Sequence, residues 1–127
     1  MRALVGLGPG LTPAGDDWLA GWLLAQHLAP DLTGLRNLSG LVVAMAADRT
    51  TTLSRALLTC AAAGEADAAW HALLATLAEV PMTHRPICQS TQTILSHGAT
   101  SGAAMLTGFC AGVAHLTPDA CSLFPDS

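Results

Sequence analysis

Two adjacent carboxylates, Asp16 and Asp17, follow the run Gly6-Leu7-Gly8-Pro9-Gly10-Leu11-Thr12-Pro13-Ala14-Gly15 and lead into Trp18-Leu19-Ala20-Gly21-Trp22-Leu23. Glycines let a backbone take positive φ and come close to a ligand that Cβ atoms would obstruct. Thr12 reads as an N-cap and Pro13 as the first helical residue, since the opening N–H groups of a helix lack internal partners and Pro has no such donor to lose. Exposed amides and the helix dipole would draw an anion to that end. Asp16 and Asp17 would repel the anion unless a cation lies between, or unless one of them serves as base or acceptor for another part of the ligand. A plainer reading stands beside this one: first-turn acids stabilise helices by up to about 1 kcal/mol, and Gly/Pro clusters are ordinary turns. The run is not a Walker loop, because the chain contains no lysine. Its glycine spacing also departs from the dinucleotide fingerprint.

Two further polar clusters share this chemistry. Thr50, Thr51 and Ser54 form one, and His97, Thr100, Ser101 and Gly102 form the other. Amides at Gly8 to Gly15 and Thr100 to Gly102, joined by the Thr50, Thr51 and Ser54 hydroxyls, are donors without fixed positive charge. They suit a small carboxylate or phosphate. The expected substrate contacts are therefore Gly8, Gly10, Thr12, Gly15, Thr50, Thr51, Ser54, His97, Thr100, Ser101 and Gly102. Asp17, with Asp16, is the expected catalytic group, orienting a polar atom or acting as base. His97 and Ser101 are the one local nucleophile pair, but across the Gly98 break they need not face each other. Asp16 and Asp17 are also hard oxygen donors for Mg²⁺, with Thr12, Thr50 or Thr51 as hydroxyl ligands. Neighbours on a helix point about 100° apart, so Mg²⁺ is a secondary reading and no metal ligand set or cofactor is expected.

The motif Gly-x-Gly-x-Gly-Leu-Thr-Pro-(Ser/Ala)-Gly-Asp-Asp before an apolar helix resembles the signature of a bacterial family of long-uncharacterised proteins. That family includes the third subunit of the oxamate carbamoyltransferase complex of anaerobic allantoin degradation, a branch of purine catabolism. Thr50-Thr51-Thr52-Leu53-Ser54 with Gly64-Glu65, and His97-Gly98-Ala99-Thr100-Ser101-Gly102 before Met105-Leu106-x-Gly108, resemble the same family in order and separation. Family members are usually about twice as long, and this chain resembles their C-terminal half. The resemblance implies a connection with carbamoyl phosphate, oxamate and oxalurate. Ala104 stands where the family pattern leads one to expect an acidic residue.

With 127 residues and a net charge of −4, the chain is expected to form a single helical domain over 1–127, with residues 117–127 loosely attached. Hydrophobic residues make up 51% and charged residues 11%, well below the roughly one quarter usual for soluble domains. So little charge points to a surface covered by something else, either a subunit partner, as in a homo-oligomer or a complex, or the N-terminal half that the longer family members carry. Five Arg and no Lys argue against a nucleic-acid backbone or an anionic membrane as partner. No apolar run reaches the roughly 20 residues a membrane span needs, and no signal peptide is evident, so a cytoplasmic location is expected. Cys60, Cys88, Cys110 and Cys121 lack metal or disulfide spacing, and Cys60 and Cys110 read as small core residues.

The periodicity predicts an all-α, compact bundle of about six helices with the glycine-rich loop at the start of the first. Helices are expected from Pro13 to Leu28, around Leu35 to Met45 with a short strand over Leu41 to Ala47 as the alternative, and after Asp48 or Thr50 with Leu53, Leu57, Cys60 and Ala61 buried. Three more follow at Glu65 to Val80, Pro86 to Gly98, and Thr100 or Ser101 to Leu116. Asp17, Gly21 and Ala25 form a small-residue face, as do Thr100, Ala104, Gly108 and Gly112. If the two faces meet in parallel, Thr100 and Ser101 come beside Asp17; if antiparallel, they separate. The leading functional expectation is a subunit, or truncated homologue, of an oxamate carbamoyltransferase-like complex that binds a small anion. The alternatives are a non-catalytic helical assembly module and a Mg²⁺-dependent hydrolase of ADP-ribosyl type.

Overall fold

In a computed structural model, which describes residues 2–29, 33–78 and 84–116, six helices account for the regular structure. They are α1 (Ala14–Gln26), α2 (Thr33–Ala46), α3 (Thr52–Ala62), α4 (Ala68–Ala78), α5 (His84–Leu95) and α6 (Ser101–Leu116). The fold is all-α, with no strand among the described residues, and Leu41 to Ala46 belong to α2, with Ala47 in the turn that follows. None of the helices is long and apolar enough to cross a membrane. The expectations for residues 117–127 and for Cys121 lie outside the described residues.

Helix α1 is central. Leu19, Ala20, Trp22, Leu23, Leu24 and Ala25 are all buried, as are Asp16, Asp17 and Gln26. Its most extensive neighbour is α6, followed by α3; α4 pairs with α5, and α5 leans on α6. Burying each large apolar side chain contributes roughly 1.5–3 kcal/mol. Leu58 of α3, Trp70 of α4, Ile94 of α5 and Phe109 of α6 close the core around α1. The Trp70 and Phe109 rings meet in a tilted contact at 5.3 Å.

The α1/α6 contact depends on the small-residue faces. A Cβ on Gly21 would overlap the Met105 carbonyl, one on Gly108 the Trp18 carbonyl, and one on Gly112 would crowd Ala25. Contacts advance together along both helices, from Thr12 with Ser101 to Ala25 with Gly112, so the packing is parallel. Both N-termini, and hence Asp17 and Ser101, lie at one end.

Several local expectations need correction. Pro13, with ψ 138°, precedes α1 as its N-cap residue, and no side chain caps that helix. Thr12 turns its hydroxyl to Ser101 instead. Helix α3 is capped by Thr51, whose Oγ1 accepts from the Ser54 N–H at 3.1 Å, and not by Asp48 or Thr50. Asp67 caps α4, accepting from Ala69 and Trp70 N–H. The buried stripe of α3 is Ser54, Leu58 and Ala61, while Leu53, Leu57 and Cys60 are exposed. Cys110 is exposed too. The stripe is rotated by one residue because the Ser54 hydroxyl is needed in the interior. His27 is a satisfied interior histidine: Nε2 lies 3.2 Å from both the Ala61 and Ala62 carbonyls at the end of α3.

Candidate functional site

The adjacent aspartates, both buried, have different surroundings. Asp16 Oδ1 accepts from the Gly6 N–H at 2.8 Å, and Oδ2 accepts from Ser54 Oγ at 2.7 Å and from Thr50 Oγ1. Helix α1 thereby holds the glycine loop on one side and the start of α3 on the other. Because α1 begins at Ala14, Asp16 lies in the first turn facing α3, and Asp17 is turned about 100° away toward α6.

Asp17 lies beside Thr12 and Ser101, whose hydroxyls are 3.0 Å apart. Burial raises its carboxyl above the ordinary value; the Ser101 and Thr12 hydroxyls oppose this, and the negative Asp16 adds to it. Asp17 Oδ2 has no hydrogen-bond partner among the described residues. A raised carboxyl means that the folded chain keeps its proton to a higher pH than the unfolded chain does. The stabilising contribution of the neutral form is complete at pH below the unfolded value and is lost as pH rises through the folded one. We therefore expect Asp17→Asn to be more stable than the native chain at pH 7, by on the order of 1 kcal/mol, or roughly 3–5 °C in Tm. In thermal melts taken at falling pH the difference should close, and a gap that widens toward acid would contradict the assignment.

Of the expected ligand contacts, Gly8, Gly10, Thr50 and Thr51 line an open cleft of about 300 Å³, together with Gly6 and Arg49. Gly6, Gly8 and Gly10 take φ of 74°, 117° and 98°, which exposes backbone that a side chain would cover. Arg49 corrects the view of these donors as lacking a fixed positive charge. Its Nη1 donates to the Arg2 carbonyl at 3.1 Å. Only its place immediately before Thr50 could have signalled it.

Other expected contacts are spent on folding. The Gly15 N–H donates to the Leu7 carbonyl and the Gly102 N–H to that of His97. A Cβ on either would overlap the Leu4 or Ile94 carbonyl. These two glycines are packing positions with engaged amides, so the N-terminus of α1 is closed by its own loop. Thr51 Oγ1 donates to the Leu11 carbonyl, tying α3 to the loop. His97 does not turn to Ser101; its Nδ1 lies 3.3 Å from Asp67 Oδ2. Thr100 is exposed, and Ala104 is half-buried on α6.

A second cavity, of about 340 Å³, lies on the other side of Asp16, where Asp17, Ser54, Asp67, Trp70 and Met105 are among the lining residues. Trp70 and Asp67 were not anticipated, since their helix carried no visible chemistry in the sequence. Among the described residues, no group of three or more His, Cys, Asp or Glu converges as a metal-binding cluster would.

The family described as oxamate carbamoyltransferase subunit AllH matches residues 4–113, a span that takes in the glycine loop, both aspartates, the Thr50 cluster and Ser101. The chain belongs to the AllH family. No curated protein matches it significantly, and no solved structure does. The AllH match covers the three motifs on which the resemblance was read, and the parallel α1/α6 pair brings the first and third together in space.

Proposed function

We propose that this AllH-family chain serves as a subunit of an oxamate carbamoyltransferase complex and holds the anionic part of a small substrate in the glycine-lined cleft. The observation that carries this reading is Arg49 beside Thr50, Thr51 and three left-handed glycines in one cleft. With the Thr50 and Thr51 hydroxyl protons and the Gly6 N–H engaged by Asp16 and the Leu11 carbonyl, the donors that the cleft offers a carboxylate or phosphate are the Arg49 guanidinium and the Gly8 and Gly10 amides. Oxamate and carbamoyl phosphate, the anions that the family's activity implies, both fit that chemistry. A partner surface is supported by Leu7 and Leu11 on the loop itself, which are 56% and 74% exposed. Exposed leucines next to a ligand cleft suit a site completed at an interface, and this joins the assembly reading to the subunit reading.

The Mg²⁺-dependent hydrolase reading draws less support, because both oxygens of Asp16 already accept protein hydrogen bonds. A thermal-shift panel of oxamate, carbamoyl phosphate, phosphate and Mg²⁺ tests the proposal. A ligand present at 100 times its Kd should add about 2.7 kcal/mol to stability. We expect at least one of the three anions to raise Tm, and Arg49→Ala to weaken that anion roughly tenfold, the effect of losing one charge-assisted contact. No response to any anion, or a response unchanged in Arg49→Ala, would reject the cleft as the anion site.

A further inference from the structure

Turning Ser54 inward leaves the apolar stripe of α3 outside. Leu53, Ala56, Leu57 and Cys60 recur at i, i+3, i+4 and i+7 and are all exposed, the two leucines by 48% and 43%. A helix uses that spacing to bury a face, yet the face turned inward is a different one, Ser54, Leu58 and Ala61. Helix α3 therefore carries two faces fit for burial, and its own chain covers one. The outer face runs along the edge of the cavity of about 340 Å³, whose wall includes Leu57 and Cys60, so the uncovered apolar surface continues into that opening. A contiguous apolar surface of this kind marks an interaction site. Thr59, beside the stripe, donates its hydroxyl proton to the Arg55 carbonyl at 2.8 Å, so a partner can cover the face without stranding that donor.

The stripe itself indicates what covers it. None of its four residues is charged, so two copies of the face can meet without opposing like charges. We propose that a second copy of this chain docks here, the two α3 helices packing antiparallel about a twofold axis between Ala56 and Leu57. Twofold pairs are the commonest closed assemblies. That axis sets Leu53 of each copy level with Cys60 of the other, and Leu57 level with Ala56, so large side chains alternate with small ones across the seam. Charge selects the antiparallel sense. Arg49 and Arg55 outnumber Asp48 around the N-terminal end of α3, and Glu65 and Asp67 follow its C-terminal end. Antiparallel packing brings opposite charges and opposite helix dipoles together, whereas parallel packing would bring like ends together. A helix of 11 residues is about 16 Å long and buries less than the roughly 800 Å² per partner of a standard interface, so the dimer is reversible and depends on concentration. The seam is separate from the glycine loop and does not depend on the anion cleft.

The test is sedimentation equilibrium of the native chain between about 1 µM and 1 mM, under reducing conditions that keep the exposed Cys60 from cross-linking. The mass is expected to rise from one chain to two across that range. Ala56 is exposed, and Glu and Arg are both good helix formers, so Ala56→Glu and Ala56→Arg should each keep the fold, as read by circular dichroism. Each alone places two like charges beside the axis and should raise the dimer Kd about 100-fold or more. Mixed in equal amounts, the two variants should dimerise again, because the axis sets the new glutamate against the new arginine. Leu53→Ala, a gentler change, should weaken the dimer about tenfold. Leu11→Glu, on the glycine loop, should leave the dimer in place, which keeps this seam distinct from an interface at the anion cleft. The proposal is overturned if the native chain stays a monomer up to 1 mM, if Ala56→Glu associates as the native chain does, if the mixed variants do not dimerise, or if Leu11→Glu dissolves the dimer.

Discussion

Replacing Asp16 with alanine is expected to lower stability by about 3–5 kcal/mol, the usual cost of removing one partner from a buried charged network. Three donors lose their acceptor at once: the Gly6 N–H, Ser54 Oγ and Thr50 Oγ1. Ser54 is 1% exposed, so water cannot easily replace the carboxylate there. The loop, α1 and the start of α3 are fastened together at this one group, and the damage should spread to the glycine cleft. Urea denaturation would show it as a lower midpoint with little change in slope. Thr50→Val and Ser54→Ala should each cost less, about 1–2 kcal/mol, since the carboxylate keeps its other donors. The contrast with Asp17→Asn is the sharper test. Neighbouring carboxylates of identical chemistry are predicted to act with opposite sign, Asp16 holding the fold and Asp17 weakening it at neutral pH. Equal destabilisation by the two changes would show that they share one structural role.

That division could not be read from the sequence, although much around it could. Periodicity placed all six helices, because each carries apolar residues at helical spacing between Gly, Pro or hydroxyl punctuation. The i+4 runs of small residues, Gly21 with Ala25 and Gly108 with Gly112, indicated which helices could approach closely. What periodicity cannot resolve is a rotation of one residue about a short helix. In α3, Leu53 and Leu57 offered the apolar stripe, yet the interior needs the Ser54 hydroxyl opposite Asp16, and a buried serine looks like an exposed one in sequence. The same limit hid the split between Asp16 and Asp17. It also misplaced Cys60 and Cys110, which occupy apolar runs but face outward. Arg49 and Trp70 were overlooked for a different reason: their importance comes from what lies across a cavity, and no local spacing encodes that. Gly15 and Gly102 were read as open amides, whereas the chain uses those amides to fold its own turns.

The second large effect concerns the face where α1 meets α6. Gly108→Leu should destabilise by more than about 4 kcal/mol, a magnitude reserved for mutations that the structure cannot absorb. Its Cβ would lie 1.9 Å from the Trp18 carbonyl oxygen, and backbone on a packed central helix cannot swing aside as a flexible side chain can. Gly21→Leu should behave alike against the Met105 carbonyl. Losses of that size approach the whole stability of an ordinary domain, about 5–15 kcal/mol. Even Gly108→Ala should be harmful, although alanine is favoured over glycine inside a helix by about 1 kcal/mol. Gly40 supplies the control, since in α2 a Cβ there would meet nothing within 4 Å. Gly40→Ala should therefore stabilise the chain by about 0.5–1 kcal/mol. The same chemical change thus carries opposite signs on two helices, and only the close approach of α1 and α6 produces the difference. If Gly108→Ala melted as high as Gly40→Ala, the two helices could not be packed as closely as described, and Asp17 would lose its neighbour Ser101.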